Sequence, residues 1–291
     1  MKIRYFQFNE LFIIGLGAIF NRVLNALNYR ERYLPIKREI YSLINYDFKI
    51  SRKNKNLLIS NPVKYPNQKF LIRLLTSDIA VLKQVIIEKE YLPIIELVEK
   101  KYTKDRIKLI VDAGSNIGLA TIFFNSYFQN VKIIAIEPEQ SNFIQLTKNI
   151  EINHLDNTVI GLDKALWINN TDLLNINSEF RDGENWAKTV KLTDIQNESV
   201  HPATLKDIIS NYGQNHIIDI LKMDVEGAEA SLFKSEEFLD TLVQYVRFLC
   251  FEIHEEFMSR ESFHSILNDI NFEFSEVGET TFCLNKSLLS N

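Results

Sequence analysis

Leu109-Ile110-Val111-Asp112-Ala113-Gly114-Ser115-Asn116-Ile117-Gly118-Leu119-Ala120-Thr121-Ile122-Phe123-Phe124 decides the fold. An apolar run ends in a carboxylate, two glycines stand four residues apart, and a second apolar stretch follows at helical length. That pattern reads as strand, tight turn and helix. Beyond it, Val131-Lys132-Ile133-Ile134-Ala135-Ile136 is a second apolar run that ends in Glu137-Pro138. An acidic residue at that strand tip sits where the two hydroxyls of a ribose can be gripped. The arrangement is that of the nucleotide-binding half of a doubly wound α/β fold.

Working outward, strand and helix alternate. The expected strands are 107–112, 131–136, 158–162, 217–224 and 246–253, and the expected helices 118–128, 140–152, 203–211, 228–240 and 260–269. Alternation of this kind gives a mostly parallel sheet with helices on both faces. Thr280 to Leu284 is expected to close it as an antiparallel edge. Upstream, Thr76-Ser77-Asp78 is expected to cap a helix from about Ile79, and Pro93 to open another over 92–102. Phe48–Ile50, Leu57–Ile59 and Phe70–Leu74 read as a hairpin or small sheet. Residues 1 to about 45 read as helical, with an apolar stretch over Leu11–Phe20 too short to cross a bilayer. It is expected to pack on the main domain or a partner subunit, weak membrane-surface contact being the other reading. The division expected is an N-terminal helical and hairpin extension over 1–75 and the main domain over 76–291.

The glycine spacing narrows the ligand. A dinucleotide turn wants G-x-G-x-x-G so that the backbone can approach a pyrophosphate. Gly114 and Gly118 do not fit that pattern, and Asp112 in the turn would repel a pyrophosphate. S-adenosylmethionine carries a sulfonium and an ammonium, which suit an acidic turn. On this reading Gly114 lets the backbone approach the methionine part and Gly118 lets the helix pack on the strand.

The 291 residues allow one large α/β domain with an extension. A net charge of −5 argues against a nucleic-acid partner. Lys49, Arg52, Lys53 and Lys55 read as a solvated loop. Cys250 and Cys283, both in apolar runs, read as buried thiols of a reducing compartment, which places the protein in the cytoplasm. No signal peptide is expected. The polar stretch from Asn169 to Gln196 reads as an irregular substrate loop; it is flanked by Trp167 and contains Trp186, whose aromatic faces lean slightly toward a glycan.

Two further motifs stand at strand ends. Leu221-Lys222-Met223-Asp224-Val225-Glu226-Gly227-Ala228-Glu229 puts Asp224 at a carboxyl tip of the sheet, with Glu226 and Glu229 matched to a helix dipole. Phe251-Glu252-Ile253-His254-Glu255-Glu256 puts Glu252 and His254 on one face if the strand continues through them. His254 or Asp224 is then a candidate base, with Glu252 beside them. A competing version has Asp224 and Glu252 hold a divalent ion, although no compelling metal-ligand set is present.

Together these motifs resemble the FkbM family of S-adenosylmethionine-dependent methyltransferases. The resemblance covers about residues 70 to 285 and includes Thr76-Ser77-Asp78-Ile79 and Glu90-Tyr91; Asp-Val-Glu-Gly-Ala-Glu is its most specific part, and Ser115 stands where the family commonly has Ala. It implies a Rossmann-like class I methyltransferase fold and O-methylation of a sugar, glycan or small natural product. Asp112, Gly114, Ser115, Asn116 and Gly118 would hold the methionine end of S-adenosyl-L-methionine, and Glu137 the ribose. Asp163, Lys164 and Ala165 would meet the adenine edge, and Asp224 would lie beside the transferred methyl. An NAD-dependent oxidoreductase fails on glycine spacing, and a non-catalytic nucleotide-binding or interaction protein would be expected to lose the acidic groups. The acceptor, the need for a metal and any homo-oligomer are left open.

Overall fold

The computed structural model describes residues 40–289 apart from 41–42, 54–55, 62, 75, 129, 178–188, 194–199 and 214–215. The expectations for the first 39 residues, Lys55 and Trp186 lie outside the described residues. Three antiparallel strands come first: β1 (Lys49–Lys53), β2 (Asn56–Asn61) and β3 (Tyr65–Arg73). Helix α1 (Asp78–Leu82) runs directly into a π-helical turn, Lys83–Ile87, and α2 (Leu92–Lys101) follows. The main sheet then builds through β4 (Leu109–Ala113), α3 (Leu119–Tyr127), β5 (Lys132–Ile136), α4 (Gln140–Ile152) and β6 (Val159–Leu162). Short strands β7 (Ala165–Leu166), β8 (Leu174–Asn177), β9 (Thr189–Leu192) and β10 (Pro202–Ala203) lead to α5 (Leu205–Asn211). The chain ends through β11 (Ile218–Met223), α6 (Glu229–Leu232), α7 (Glu236–Tyr245), β12 (Val246–Glu252), α8 (Arg260–Asp269), β13 (Phe272–Val277), β14 (Thr280–Asn285) and α9 (Lys286–Leu289).

The main sheet has the order β13-β14-β12-β11-β4-β5-β6. From β6 to β12 every pairing is parallel, and β14 runs antiparallel to both of its neighbours. The order reverses between β4 and β11, so the carboxyl ends of those strands form the crevice where open α/β sheets take their ligands. Every residue of β4 and β11 is buried, because both faces of the sheet are covered; this is why they read as largely apolar runs, broken only by Asp112, Asp219 and Lys222. Alternate residues supply two cores. Ile110, Ile133, Ile220 and Phe248 face one cluster, and Val111, Ile134, Leu221 and Leu249 the other.

Five expectations need correction. β14 is not the edge: β13 is, and it was missed because only Phe272 of its six residues is fully buried. The helix expected over 228–240 is two helices; the chain breaks at Phe233–Ser235, and the Ser235 hydroxyl caps α7 by accepting from the Phe238 N–H. Ser77 makes no capping bond to α1. The basic residues Lys49 and Lys53 lie exposed on β1, a strand and not a loop. The polar insertion also carries the hairpin strands β8 and β9.

The small sheet is fastened to the main one in two ways. Phe48, Ile59, Phe70 and Ile72 pack into the same cluster as Ile110 and Phe248. In addition, the outer edge of β3 is met by side-chain amides rather than by another strand. Asn149 Oδ1 accepts from the Leu71 N–H at 2.7 Å, and Asn149 Nδ2 and Gln145 Nε2 donate to the Leu71 carbonyl at 3.0 and 2.6 Å. Asn153 repeats the pattern at Lys69, at 2.8 and 2.7 Å. At Arg73 the backbone N–H and guanidinium converge on Asp78, and Nη2 also reaches Asn142 Oδ1 at 2.7 Å. Residues 142, 145, 149 and 153 share one stripe of α4, at helical spacing. That amide stripe does the hydrogen bonding of an absent strand, which a buried backbone edge requires.

Asn149→Ala should therefore destabilise the protein by about 1–3 kcal/mol, since it strands a buried N–H. Urea unfolding checks this, with an unchanged midpoint as the contrary result.

Candidate functional site

A cavity of about 210 Å³ opens at the carboxyl ends of β4, β5, β11 and β12. Its walls come from Gly114–Asn116, Ile136–Glu139, Asp224–Glu226 and Glu252, from Ala165, Leu166 and Ile176, and from Val81, Gln84, Val85, Glu90 and Tyr91 upstream.

The turn after β4 is wound tightly around neighbouring backbone. The Gly114 and Ser115 N–H groups both donate to the Ile136 carbonyl at 2.9 Å, and the Ser115 hydroxyl donates to the Asp112 carbonyl at 2.6 Å. Gly114 has φ +73°, and a Cβ there would fall on the carbonyl oxygen of Asp224. The glycine is thus demanded first by the approach of β11. Gly118 (φ +85°) would press a Cβ to 2.6 Å from Leu146 Cδ1, so it admits α4 and not the strand behind it. Asn116 also lies in the left-handed region, at φ +49°.

Asp112 is fully buried and does not line the cavity. Its Oδ2 accepts from Thr121 Oγ1 at 2.6 Å and its Oδ1 faces Lys222 Nζ at 3.2 Å. Lys222, itself 2% exposed, also donates to the Gly114 carbonyl at 2.7 Å and faces Asp224 Oδ2 at 3.6 Å. Burial works against its charge, but Asp112 and Asp224 outweigh that and raise its pKa. The negative charge expected of Asp112 is therefore matched internally.

Glu137 does line the cavity. One oxygen accepts from the Asn116 N–H at 2.8 Å and the other from the Glu139 N–H at 2.9 Å. Burial raises its pKa to about 7, against the pull of those two N–H groups. Ala165 reaches the cavity; Asp163 and Lys164, on the same loop, do not.

The β12 end departs from expectation. The strand stops at Glu252, so Glu252 faces the cavity while His254, 2% exposed, does not. Both nitrogens of His254 meet carboxylates: Nδ1 lies 2.6 Å from Glu229 Oε1 and Nε2 3.2 Å from Glu226 Oε2. An imidazole that donates from both nitrogens is a cation. Burial opposes that charge, yet hydrogen bonds to Glu226 and Glu229 raise the pKa to about 11. His254 is thus a clamp on the 224–229 turn, with no basic nitrogen to offer at neutral pH. Glu229 completes the clamp by accepting from the Gly227 N–H at 2.8 Å. Glu229 stands in the first turn of α6, as the dipole reading expects, and together with Glu226 it also braces this imidazolium.

Two residues escaped the sequence reading. Lys222 left a signal, a lone cation in an otherwise largely apolar strand. Glu90 stands in the lead-in that carries the resemblance, but nothing local gives it a role, because only the tertiary fold brings it to Glu252 at the tip of β12, beside Thr280. The two carboxyls hydrogen-bond each other; burial and then Asp224 raise Glu90, while Asp224 and then burial raise Glu252 well above the ordinary range. Trp167 is core, with Nε1 donating to Asp172 at 2.7 Å, and is not part of the cavity.

The sequence pattern of the Methyltransferase FkbM domain matches residues 112–277, more than half of the chain. A curated relative, Methyltransferase 1 of Beauveria bassiana (strain ARSEF 2860), is 28% identical over 159 residues. That match covers 48% of this chain and 64% of the relative, so the chain spans less than two thirds of its length. Among solved structures, Methyltransferase FkbM from Methylobacillus flagellatus KT aligns at TM-score 0.42 and 14% identity over 61% of this chain and 43% of that one. The N-terminal domain of human METTL16 aligns at 0.40 and 12%, over 68% of each.

Two outcomes follow from the buried charges. Lys222→Met should cost about 3–5 kcal/mol in urea unfolding, because it leaves carboxylates unpaired, and adding Asp112→Asn should recover part of that loss; additive losses would contradict the pairing. For His254 the folded-state pKa of about 11 exceeds the ordinary 6.5. Its contribution is complete below pH 6.5 and is lost as pH rises toward 11, so wild-type stability should fall across that window more steeply than that of His254→Gln.

Proposed function

The chain belongs to the FkbM methyltransferase family, and on that premise we propose that it moves a methyl group from S-adenosylmethionine to a hydroxyl oxygen of a sugar, glycan or small natural product. The observation that carries this reading is the carboxylate-lined cavity at the switch point of the sheet, where Glu137 presents a buried, backbone-held carboxylate. The residues fit the proposed cofactor. Asn116 Oδ1 and Asp224 Oδ1 are buried with no hydrogen-bond partner among the described residues, and both residues line the cavity. Such atoms ask for a donor from a ligand. Gly114, Ser115 and Asn116 would hold the methionine end, Glu137 the ribose and Ala165 the adenine edge, while Asp224 would lie near the reacting carbon. Asp112 and Gly118 would act by shaping the turn, and Asp163 and Lys164 by carrying Ala165.

When bound, S-adenosylmethionine supplies a methyl carbon made electrophilic by its sulfonium. The protein's task is alignment, since in-line placement of the acceptor oxygen supplies much of the rate. The acceptor hydroxyl must also lose a proton. With His254 occupied as a cation, that task falls to the carboxylates, Asp224 or Glu252. Residues 76–291 are the proposed catalytic domain and 1–75 its extension. The net charge of −5 supports an acceptor other than nucleic acid. Cys250 and Cys283 are free and buried, which supports the cytoplasm as the site of action. No helix among the described residues is long and apolar enough to cross a membrane.

Calorimetry with S-adenosylhomocysteine tests the reading, and absence of binding would refute it. Glu137 must be ionised to accept two ribose hydroxyls, and its pKa is about 7. Affinity should therefore rise with pH, about tenfold from pH 6 to a plateau above pH 8. Glu137→Gln should bind about 10- to 100-fold more weakly, with no such pH dependence.

A further inference from the structure

The wall formed by residues 81–91 lies before the family-matched residues, yet it completes the cavity. Lys83–Ile87 is a π-helical turn, a rare geometry found mostly at functional sites. It sets Gln84 and Val85 against the cavity. The chain then turns through Lys89 at φ +58°, and the Glu90 N–H returns to the Gln84 carbonyl at 3.2 Å. This delivers the Glu90 carboxyl to the tip of β12. Its Oε1 accepts from Thr280 Oγ1 at 3.2 Å, and the carboxyl hydrogen-bonds that of Glu252. Thr280 stands opposite Glu252 in the β12–β14 register, so both carboxyls meet at this end of the cavity, where burial and Asp224 raise them and favour one proton shared between the two.

We propose that Glu90 and Glu252 form the acceptor end of the cavity, binding a hydroxyl group between them and taking its proton, with Gln84 and Val85 as the acceptor's side wall. This assignment rests on the methyl-transfer reading above and specifies its acceptor as an alcohol. A pair holding one proton offers both a donor and acceptor oxygens, which is what a hydroxyl needs; a cationic amine would find no use for the donor. In the reaction the acceptor O–H bond breaks and its proton passes to the ionised member of the pair. An oxygen electron pair forms the new O–C bond, and the pair from the broken C–S bond remains on sulfur, which becomes a neutral thioether. The carboxyl pair ends doubly protonated and returns one proton to solvent. The charged and polar groups facing it are Asp224, Lys222, His254, Tyr91 and Thr280. Asp224 disfavours a second negative charge on the pair, and Lys222 and His254 keep one tolerable.

Carboxyl-carbon NMR of ligand-free protein labelled at glutamate Cδ reads the pair directly. Between pH 4 and 9, two coupled resonances are expected, one of them protonated above pH 7. In Glu90→Gln the Glu252 resonance should titrate at least one pH unit lower, and in Glu252→Gln the Glu90 resonance should do likewise. Independent titration of both near pH 4.5, or an unmoved partner in either variant, would overturn the proposal. S-adenosylhomocysteine should bind Glu90→Gln within about threefold of wild type; a loss of a hundredfold would put Glu90 at the donor and overturn it too. No binding to wild type, with the NMR pattern intact, would remove the methyl-transfer reading and with it the role assigned to the pair, while leaving the carboxyl pair itself established.

Discussion

A single buried ammonium organises the site. Lys222 sits inside the sheet's carboxyl edge and ties Asp112 of β4, the carbonyl of Gly114 and the carboxylate of Asp224 into one unit. Without it, β4 and β11 would bring two carboxylates together at the crevice of the sheet, where burial makes uncompensated charge expensive. With it, the β4 turn can lie against the Asp224 carbonyl so closely that residue 114 has no room for a side chain. The acidic turn is therefore a structural device first, and the acidic groups left to face a ligand include Glu137, Asp224, Glu90 and Glu252.

His254 repeats the principle one strand away. A buried cation between Glu226 and Glu229 holds the loop after β11 against the end of β12. Both cations lie behind the cavity surface or at its base, and both fix carboxylates in front of them. The walls are thus acidic and preorganised, an arrangement suited to a positively charged ligand.

The sheet was legible because strands buried on both faces are largely apolar; Leu109–Ala113 and Ile218–Met223 announce themselves in this way despite Asp112, Asp219 and Lys222. The turn glycines and Glu137 were legible because their position at strand tips follows from the alternation. β13 was not, since Glu273, Ser275 and Glu276 break any apolar pattern on an edge strand. The placement of His254 behind the cavity was not legible because local spacing places a residue on a face only while the strand lasts, and β12 ends at Glu252. Glu90 was legible only as part of the resemblance and not as a site residue, because its neighbours at the cavity, Glu252 and Thr280, are far away in sequence.

The position of β14 has a consequence for biogenesis. It fills the gap between β12 and β13 and supplies hydrogen bonds to both, yet Thr280–Asn285 follows both of them in the chain. The sheet has no complete register until β14 is in place, and until then β12 has an open outer edge. Such long-range closure is slow and leaves an exposed edge meanwhile. The tip of β12 beside the cavity gains its outer row of hydrogen bonds only when β14 docks.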